Sequence, residues 1–351
     1  MAGRPGKRFR LFSKGKSAGI ALTSQPEAQR VPAEDAVTWA YRLLLDREPE
    51  EPRVVREKAE HFRDSRALRW ELSRSEEFQR KNPGFHLPAL SGREPAMAVD
   101  EVTDPAALER LLAHVQATWD ELGRTEPHWS VLSEEDYRQA NLGESQERFY
   151  QSGQDDVARL VATLERNGVQ PDSLRSCLEY GCGIGRVTRW LAPRFDRLHA
   201  FDISPSHLAQ AEAYLAGQEI AEVRFGRIAG IADLERLPAV DLIYCNIVLQ
   251  HNPPPVIALI LEAFLAALKP GGVAYFQVPT YHIAYRFDLE AYLADGARAR
   301  EVEMHYLPQA RIFEILRRGG GALLEVIEDP WIGLNQQAVS NTFLVRRGES
   351  P

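Results

Sequence analysis

Three glycines at alternate positions, Gly181, Gly183 and Gly185 in the stretch LEYGCGIGR, constrain this chain more than any other feature. They follow an apolar run, Leu174 to Tyr180, that reads as a buried strand, and they precede a helical segment from Arg186 to Leu191. A strand that turns on glycines into a helix brings bare backbone up to a bound ligand. Dinucleotide sites space their glycines as GxGxxG, which would put the third at residue 186, an arginine here. The GxGxG spacing, with Glu179 two residues ahead of the first glycine, points to a different cofactor.

Strand and helix alternate on both sides of this loop. Strand two, Leu198 to Asp202, leads into a helix that Ser204 caps and Pro205 opens. Strand three lies around Glu222 to Phe225, and strand four spans Val240 to Asn246. An apolar helix runs from Pro254 to Leu268 and is stopped by Lys269-Pro270-Gly271-Gly272, with strand five at Val273 to Val278. A helix at Gln309–Arg318 and strands at Leu323–Glu328 and Asn341–Val345 follow. The rhythm predicts an α/β fold, a mostly parallel sheet with helices on both faces.

Upstream the chain changes character. Residues 1–30 form a basic tail expected to be disordered, with Arg4, Lys7, Arg8, Arg10, Lys14 and Lys16 crowded into it. Residues 31–85 read as a small all-helical module, with Asp35 and Ser65 as caps and Val37, Ala40, Tyr41 and Leu44 at helical spacing. Residues 86–155 read as a linker and helices that cap the cofactor site, and residues 156–351 as the α/β domain. The strings YRLLLDREPEEP and LSRSEEF resemble a short helical module attached to bacterial polysaccharide-related enzymes, with Asp46 where that family usually has glycine. The resemblance implies a docking element for a protein partner.

Composition narrows the function. With 351 residues, 44% of them hydrophobic, there is ample material for a core, and the net charge of −8 offers no basic field for nucleic acid. Cys177, Cys182 and Cys245 form no CxxC pair, so neither a disulfide framework nor a metal is expected. No apolar run reaches the ~18–20 residues of a membrane span, and Ala18 to Leu22 is too short for a signal-peptide core. The expected location is cytoplasmic.

Asp202 ends strand two, 21 residues after Gly181, where a carboxylate can accept both hydroxyls of a ribose, and Ile203 beside it is placed to pack on the base. The string DLIYCNIVLQHNPPP, Asp241 to Pro255, resembles the fourth-strand motif of class I S-adenosylmethionine-dependent methyltransferases, and KPGGVAYFQVP resembles their entry to strand five. The four motifs match in order and spacing from Asp156 onward, about half of the chain, and the resemblance implies a Rossmann-like, seven-stranded, mostly parallel sheet with an antiparallel last strand. The resemblance implies S-adenosyl-L-methionine as cofactor, S-adenosyl-L-homocysteine as product, and a cofactor site of Glu179, Gly181, Cys182, Gly183, Gly185, Arg186, Asp202, Ile203 and Asn246. Tyr150, Ser152 and Gly153 stand where related small-molecule enzymes close an aromatic–x–Ser–Gly stretch over the cofactor, which adds Tyr150. The acidic residue that commonly follows strand three is represented by Asp233, out of register.

The acceptor is read from chemistry. A hydroxyl of a small molecule or glycan needs a base, and a largely neutral histidine suits, with His251 first and His305 second. Gln250 would orient the acceptor, and the aromatic insertion from Thr280 to Tyr306 would form its pocket through Tyr281, Tyr285 and Arg286. Methylation of nitrogen or carbon on a secondary metabolite, and a non-catalytic adenosylmethionine-binding scaffold, stay open as alternatives. No base-flipping motif follows strand four, because the aromatic is missing after Asn252-Pro253-Pro254.

Overall fold

The computed structural model describes residues 33–348 except 63, 83–89, 91, 221, 295–301 and 333–337, so the basic tail lies outside the described residues. The chain divides into two compact units at residues 87 and 88.

The first unit contains four helices: α1 (Glu34–Leu45), α2 (Pro52–His61), α3 (Ser65–Arg74) and α4 (Glu76–Lys81). Val37, Tyr41 and Leu45 of α1 pack with Val55, Ala59, Leu68, Leu72 and Phe78 into its core. Both expected caps lie inside their helices, Asp35 two residues and Ser65 one residue past the actual N-caps Ala33 and Asp64. α1 starts at Glu34, which puts Asp35 in the first turn, where its charge favours the helix dipole. Asp64, in place of Ser65, caps α3 by accepting from Ala67 N–H at 2.8 Å. Asp46 ends α1 in the left-handed region at φ +49°, a conformation that glycine adopts without steric cost.

The second unit is built on seven strands: β1 (Ser176–Tyr180), β2 (Arg197–Asp202), β3 (Val223–Arg227), β4 (Val240–Cys245), β5 (Leu268–His282), β6 (Gly321–Asp329) and β7 (Ala338–Arg347). Their order is β3-β2-β1-β4-β5-β7-β6. The first five pair in parallel, while β7 runs antiparallel to both of its neighbours. The expected fold class is met, including the antiparallel last strand.

Period-two alternation feeds two cores. Leu178, Tyr180, Ile243, Cys245, Phe276 and Phe343 face one side, against α5 (Pro105–Thr125), α11 (Pro254–Ala267) and α13 (Gln309–Arg318). Cys177, Leu242, Tyr244, Tyr275 and Leu344 face the other, against α7 (Ser145–Arg166) and α8 (Thr188–Leu191). Between these come the short α6 (Pro127–Val131), α9 (Pro205–Gly217), α10 (Ile231–Leu234) and α12 (Leu289–Ala294).

Three boundaries differ from expectation. β1 starts at Ser176, after a 3-10 turn at Pro171–Ser173. The helix after the glycine loop is a single turn, followed by a 3-10 turn at Ala192–Arg194 where Pro193 cannot continue the ladder. β5 runs on from Leu268 through Lys269-Pro270-Gly271-Gly272, with a register shift against β4 between Val240 and Leu242. Gly271 sits at φ +75°, and a Cβ on Gly272 would stand 2.9 Å from Lys269 O, so the segment that stops the helix, as expected, also forms the irregular start of the strand.

A two-residue ribbon stands apart from the seven-stranded sheet. Ala98 and Val99 pair in parallel with Arg286 and Phe287, which joins the segment ahead of α5 to the insertion after β5.

Candidate functional site

The strand order reverses between β1 and β4, and in open α/β sheets the crevice at the carboxyl ends of such strands is where ligands bind. Here it is a cleft of about 840 Å³, part of it open to solvent.

The glycine loop forms one wall. Gly181 and Gly183 have φ of +77° and +53°, and a Cβ on them would come to 2.3 Å from Val248 Cγ2 and 2.8 Å from Val131 Cγ2. Only bare backbone fits both the dihedrals and the space. The loop is fastened to the end of β2: Gly181 N–H and Cys182 N–H donate to Phe201 O at 2.7 and 3.0 Å, and Gly183 N–H donates to Asp202 Oδ2 at 2.8 Å. Asp202 Oδ1 accepts from Ser204 N–H at 2.9 Å. The expected ribose carboxylate thus also clamps two turns, with Ile203 beside it in the cleft lining.

Below the loop is a buried polar group. Arg186 is 5% exposed; its guanidinium pairs with Asp156 and donates to Ser152 Oγ at 3.0 Å, while Nε has no partner among the described residues. Glu179 Oε2, Tyr244 OH and Asn246 Oδ1 are likewise buried without a partner, and all four side chains line the cleft. Thr188 Oγ1, just past the glycines, is also buried, and its place beside Glu179 lowers that carboxyl against the larger effect of burial. Burial pushes the Glu179 carboxyl up to about 8. Native proteins rarely leave so many buried polar atoms unsatisfied in one place.

The opposite wall is the chain after β4. Asn246, Ile247, Val248, His251 and Asn252 line it. His251 Nδ1 contacts Glu303 O at 2.8 Å and its Nε2 contacts Gln250 Nε2 at 3.1 Å. Burial pushes the imidazole down to about 4, so it is neutral near pH 7. The roof comes from helices ahead of the sheet: Val115 and Trp119 of α5, and Ser130 and Val131 of α6. Trp119 lies with its ring 5.0 Å from that of His251. Ser130 Oγ meets His207 Nε2 at 2.9 Å, and His207 Nδ1 is 3.8 Å from Asp202 Oδ1.

Seven of the expected site residues are not part of the cleft lining: Gly185 turns at φ +89° against Ala211, Gln250 is buried beside His251, and five others belong elsewhere. Tyr150 is buried on α7, stacked on Tyr214 at 3.5 Å, and is not part of the cleft lining. Tyr281 donates from its hydroxyl to Pro95 O, and Arg286 sits exposed in the ribbon. Tyr285 and His305 belong to a separate cluster. His305 Nε2 donates to Glu303 Oε2 at 3.0 Å, and Tyr285 OH lies 2.8 Å from His305 Nδ1. Burial alone would raise the Glu303 carboxyl, but hydrogen bonds from His305 and Tyr292 outweigh it and hold it below the usual range. The aromatics of the insertion pack on one another, Tyr285 on Tyr306 and Phe287 on Tyr292, because together they bury more apolar surface than an open platform would. Asp233 Oδ2 accepts from Ala229 N–H and Gly230 N–H at the start of α10, outside the cleft lining.

Val131, Ser130, His207, Tyr244 and the roof role of Trp119 were missed from sequence. Trp119 was read only as an apolar position on its helix. The polar Gln277 within the apolar run YFQV was a signal in its own right.

Residues 178–274 match the family model described as methyltransferase domain. The chain carries a methyltransferase domain, as its motifs implied. A curated relative, carboxy-S-adenosyl-L-methionine synthase of Chromohalobacter salexigens, is 36% identical over 100 residues, which cover 27% of this chain and 36% of the relative. The chain therefore spans about a third of that protein's length. Among solved structures, the N-methyltransferase NodS from Bradyrhizobium japonicum WM9, in complex with S-adenosyl-l-homocysteine, aligns at 15% identity and a TM-score of 0.45, covering 67% of this chain and 100% of that one. Magnesium protoporphyrin IX methyltransferase (ChlM) from Synechocystis PCC 6803 aligns at 18% identity and a TM-score of 0.47, covering 67% and 99%. Among the described residues no helix is long and apolar enough to cross a membrane.

Proposed function

We propose that the methyltransferase domain carried by this chain transfers a methyl group from S-adenosylmethionine to a hydroxyl oxygen of a small molecule, glycans included. The observation that carries the reading is the set of unpartnered buried atoms around the glycine loop: Glu179 Oε2, Arg186 Nε, Tyr244 OH and Asn246 Oδ1. Leaving such atoms dry is costly, and the ammonium and carboxylate of an amino acid are their chemical complements. Glu179 and Asn246 would accept from the ammonium, while Arg186 and the loop amides would take the carboxylate. Asp202 spends two acceptor positions on backbone and keeps the others for ribose hydroxyls. Ile203 offers an apolar face to the base.

Bound S-adenosylmethionine supplies a methyl group made electrophilic by its sulfonium. The residues of this chain orient the partners and exclude water, with Trp119 and Val131 as roof. His251, neutral at working pH, takes the acceptor's proton on Nε2 as Gln250 releases that atom. A base this weak suits proton loss late in the transfer, when the acceptor oxygen has become strongly acidic through its new bond to carbon. His305, outside the cleft lining, has no direct part in this scheme. We read the helices of residues 34–81 as a docking element for a protein partner.

Calorimetry with S-adenosylmethionine is the first test, and absence of binding at millimolar ligand would sink the reading. A screen of sugars, sugar nucleotides and metabolites for S-adenosylhomocysteine release then identifies the acceptor. Binding without release across the whole screen would favour the non-catalytic scaffold.

A further inference from the structure

Ile247 stands in the wall of the cleft with φ +59°, a conformation that a β-branched residue rarely adopts. Such a backbone persists only where its surroundings over-determine it. The fixing atom is on the neighbouring strand: Ile247 N–H donates to Gln277 Oε1 at 3.1 Å. Gln277 lies on β5 and is 0% exposed, and a buried carboxamide needs its polar atoms satisfied. Its Nε2 donates to Gln250 Oε1 at 3.1 Å and to Ser340 Oγ at 2.7 Å.

A direction follows for the whole chain of bonds. A backbone N–H can only donate, so Gln277 presents its oxygen to Ile247 and its nitrogen to Gln250. Gln250 in turn presents its nitrogen to His251 Nε2, which has to accept. The imidazole proton is left on Nδ1, where it is donated to the carbonyl of Glu303. The remaining groups near His251 agree: the Trp119 ring is uncharged, and a charge on His305 would oppose one on His251.

We propose that Gln277 is a positioning residue of the transfer site: one buried amide holds the strained Ile247 turn against the cleft and, through Gln250, keeps Nε2 of His251 unprotonated. The role in methyl transfer rests on the function proposed above, whereas the tautomer does not.

Nitrogen-15 NMR of the imidazole signals in the full chain, assigned with His251→Gln, tests this. The expected wild-type spectrum has His251 neutral with Nε2 unprotonated, unchanged from pH 5.5 to 8. In the isosteric Gln277→Glu, with the introduced carboxyl ionised, oxygens face both Ile247 and Gln250; the Gln250 amide turns over, and His251 takes up a proton from solvent on Nε2 while Nδ1 keeps its own on Glu303 O. A wild-type His251 carrying its proton on Nε2, or unmoved signals in Gln277→Glu, would overturn the proposal. Should Gln277→Glu fail to fold, Gln250→Glu sets a carboxylate before Nε2 one link later, and an imidazole that stays neutral there across the same pH range overturns it equally. Calorimetry with S-adenosylhomocysteine separates the two readings. Wild-type protein that does not bind removes the methyltransferase reading and leaves the tautomer result standing. Wild-type binding with a roughly tenfold loss in Gln277→Glu, the scale of one lost hydrogen bond, is the expected result. Equal affinity in both overturns the role assigned to the Ile247 turn.

Discussion

Gly183 and Asp202 meet directly, the backbone N–H of the loop donating to the carboxylate at the end of the next strand at 2.8 Å. The residue expected to hold the ribose is therefore also the one that shapes the glycine loop.

Asp202→Asn should lose more than a ligand contact. An amide cannot accept from Gly183 and Ser204 together without turning its NH2 onto one of them. The expected result is a drop of about 1–3 kcal/mol in stability without ligand, measured by urea unfolding, and adenosylmethionine affinity at least tenfold weaker. Unchanged stability would mean that the clamp contributes nothing to the loop.

Glu179 links cofactor binding to pH. Its folded carboxyl titrates near 8, above the ordinary 4.5, so in the free protein it is largely protonated at neutral pH. A ligand ammonium favours the carboxylate, so binding should release a proton and affinity should rise between pH 6 and 8. Glu179→Gln should flatten that slope. A raised carboxyl value also means that stability of the free protein falls as pH rises from about 4.5 to 8, and the Gln variant should lose this decline. Calorimetry in buffers of different ionisation enthalpy counts the proton.

Gly181→Ala should abolish cofactor binding. The added Cβ would lie 2.3 Å from Val248 Cγ2 at a backbone φ of +77°. Strain and overpacking together predict a loss of about 2–4 kcal/mol in stability. Differential scanning calorimetry would show it, and wild-type melting in the variant would contradict the loop geometry.

His128 and His251 should make the protein acid-sensitive. Burial lowers each to about 4, below the ordinary 6.5. A histidine kept neutral in the folded state charges first in the unfolded chain. Stability is therefore complete above pH 6.5 and is lost as pH falls towards 4, by about 1–2 kcal/mol for each histidine at pH 5. Replacing both with glutamine should shrink the difference in urea midpoint between pH 5 and pH 7.

Legibility from sequence followed the physics of each feature. The glycine loop, Asp202 and the alternation of strand and helix could be read because local backbone demands leave local traces. Asp46 carried such a trace too, since a left-handed helix end explains why glycine is usual there. The roof could not be read. Val115, Trp119 and Val131 reach the cleft only through packing of α5 and α6 on the domain, and an apolar helix position looks the same whether it covers a core or a ligand. The insertion misled for a related reason. Tyr285 and Tyr306 would suit a sugar platform by composition, but they spend their faces on each other.

The ribbon between Ala98–Val99 and Arg286–Phe287 sets a limit on how the chain can be shortened. Asp100 N–H donates to Phe287 O and its side chain accepts from Leu289 N–H, while the Pro95 carbonyl receives the Tyr281 hydroxyl. A truncated protein for crystallisation or expression that starts at the first turn of α5 would discard all of these bonds and leave the insertion after β5 without its outer strand. One that starts at Gly92 would keep them.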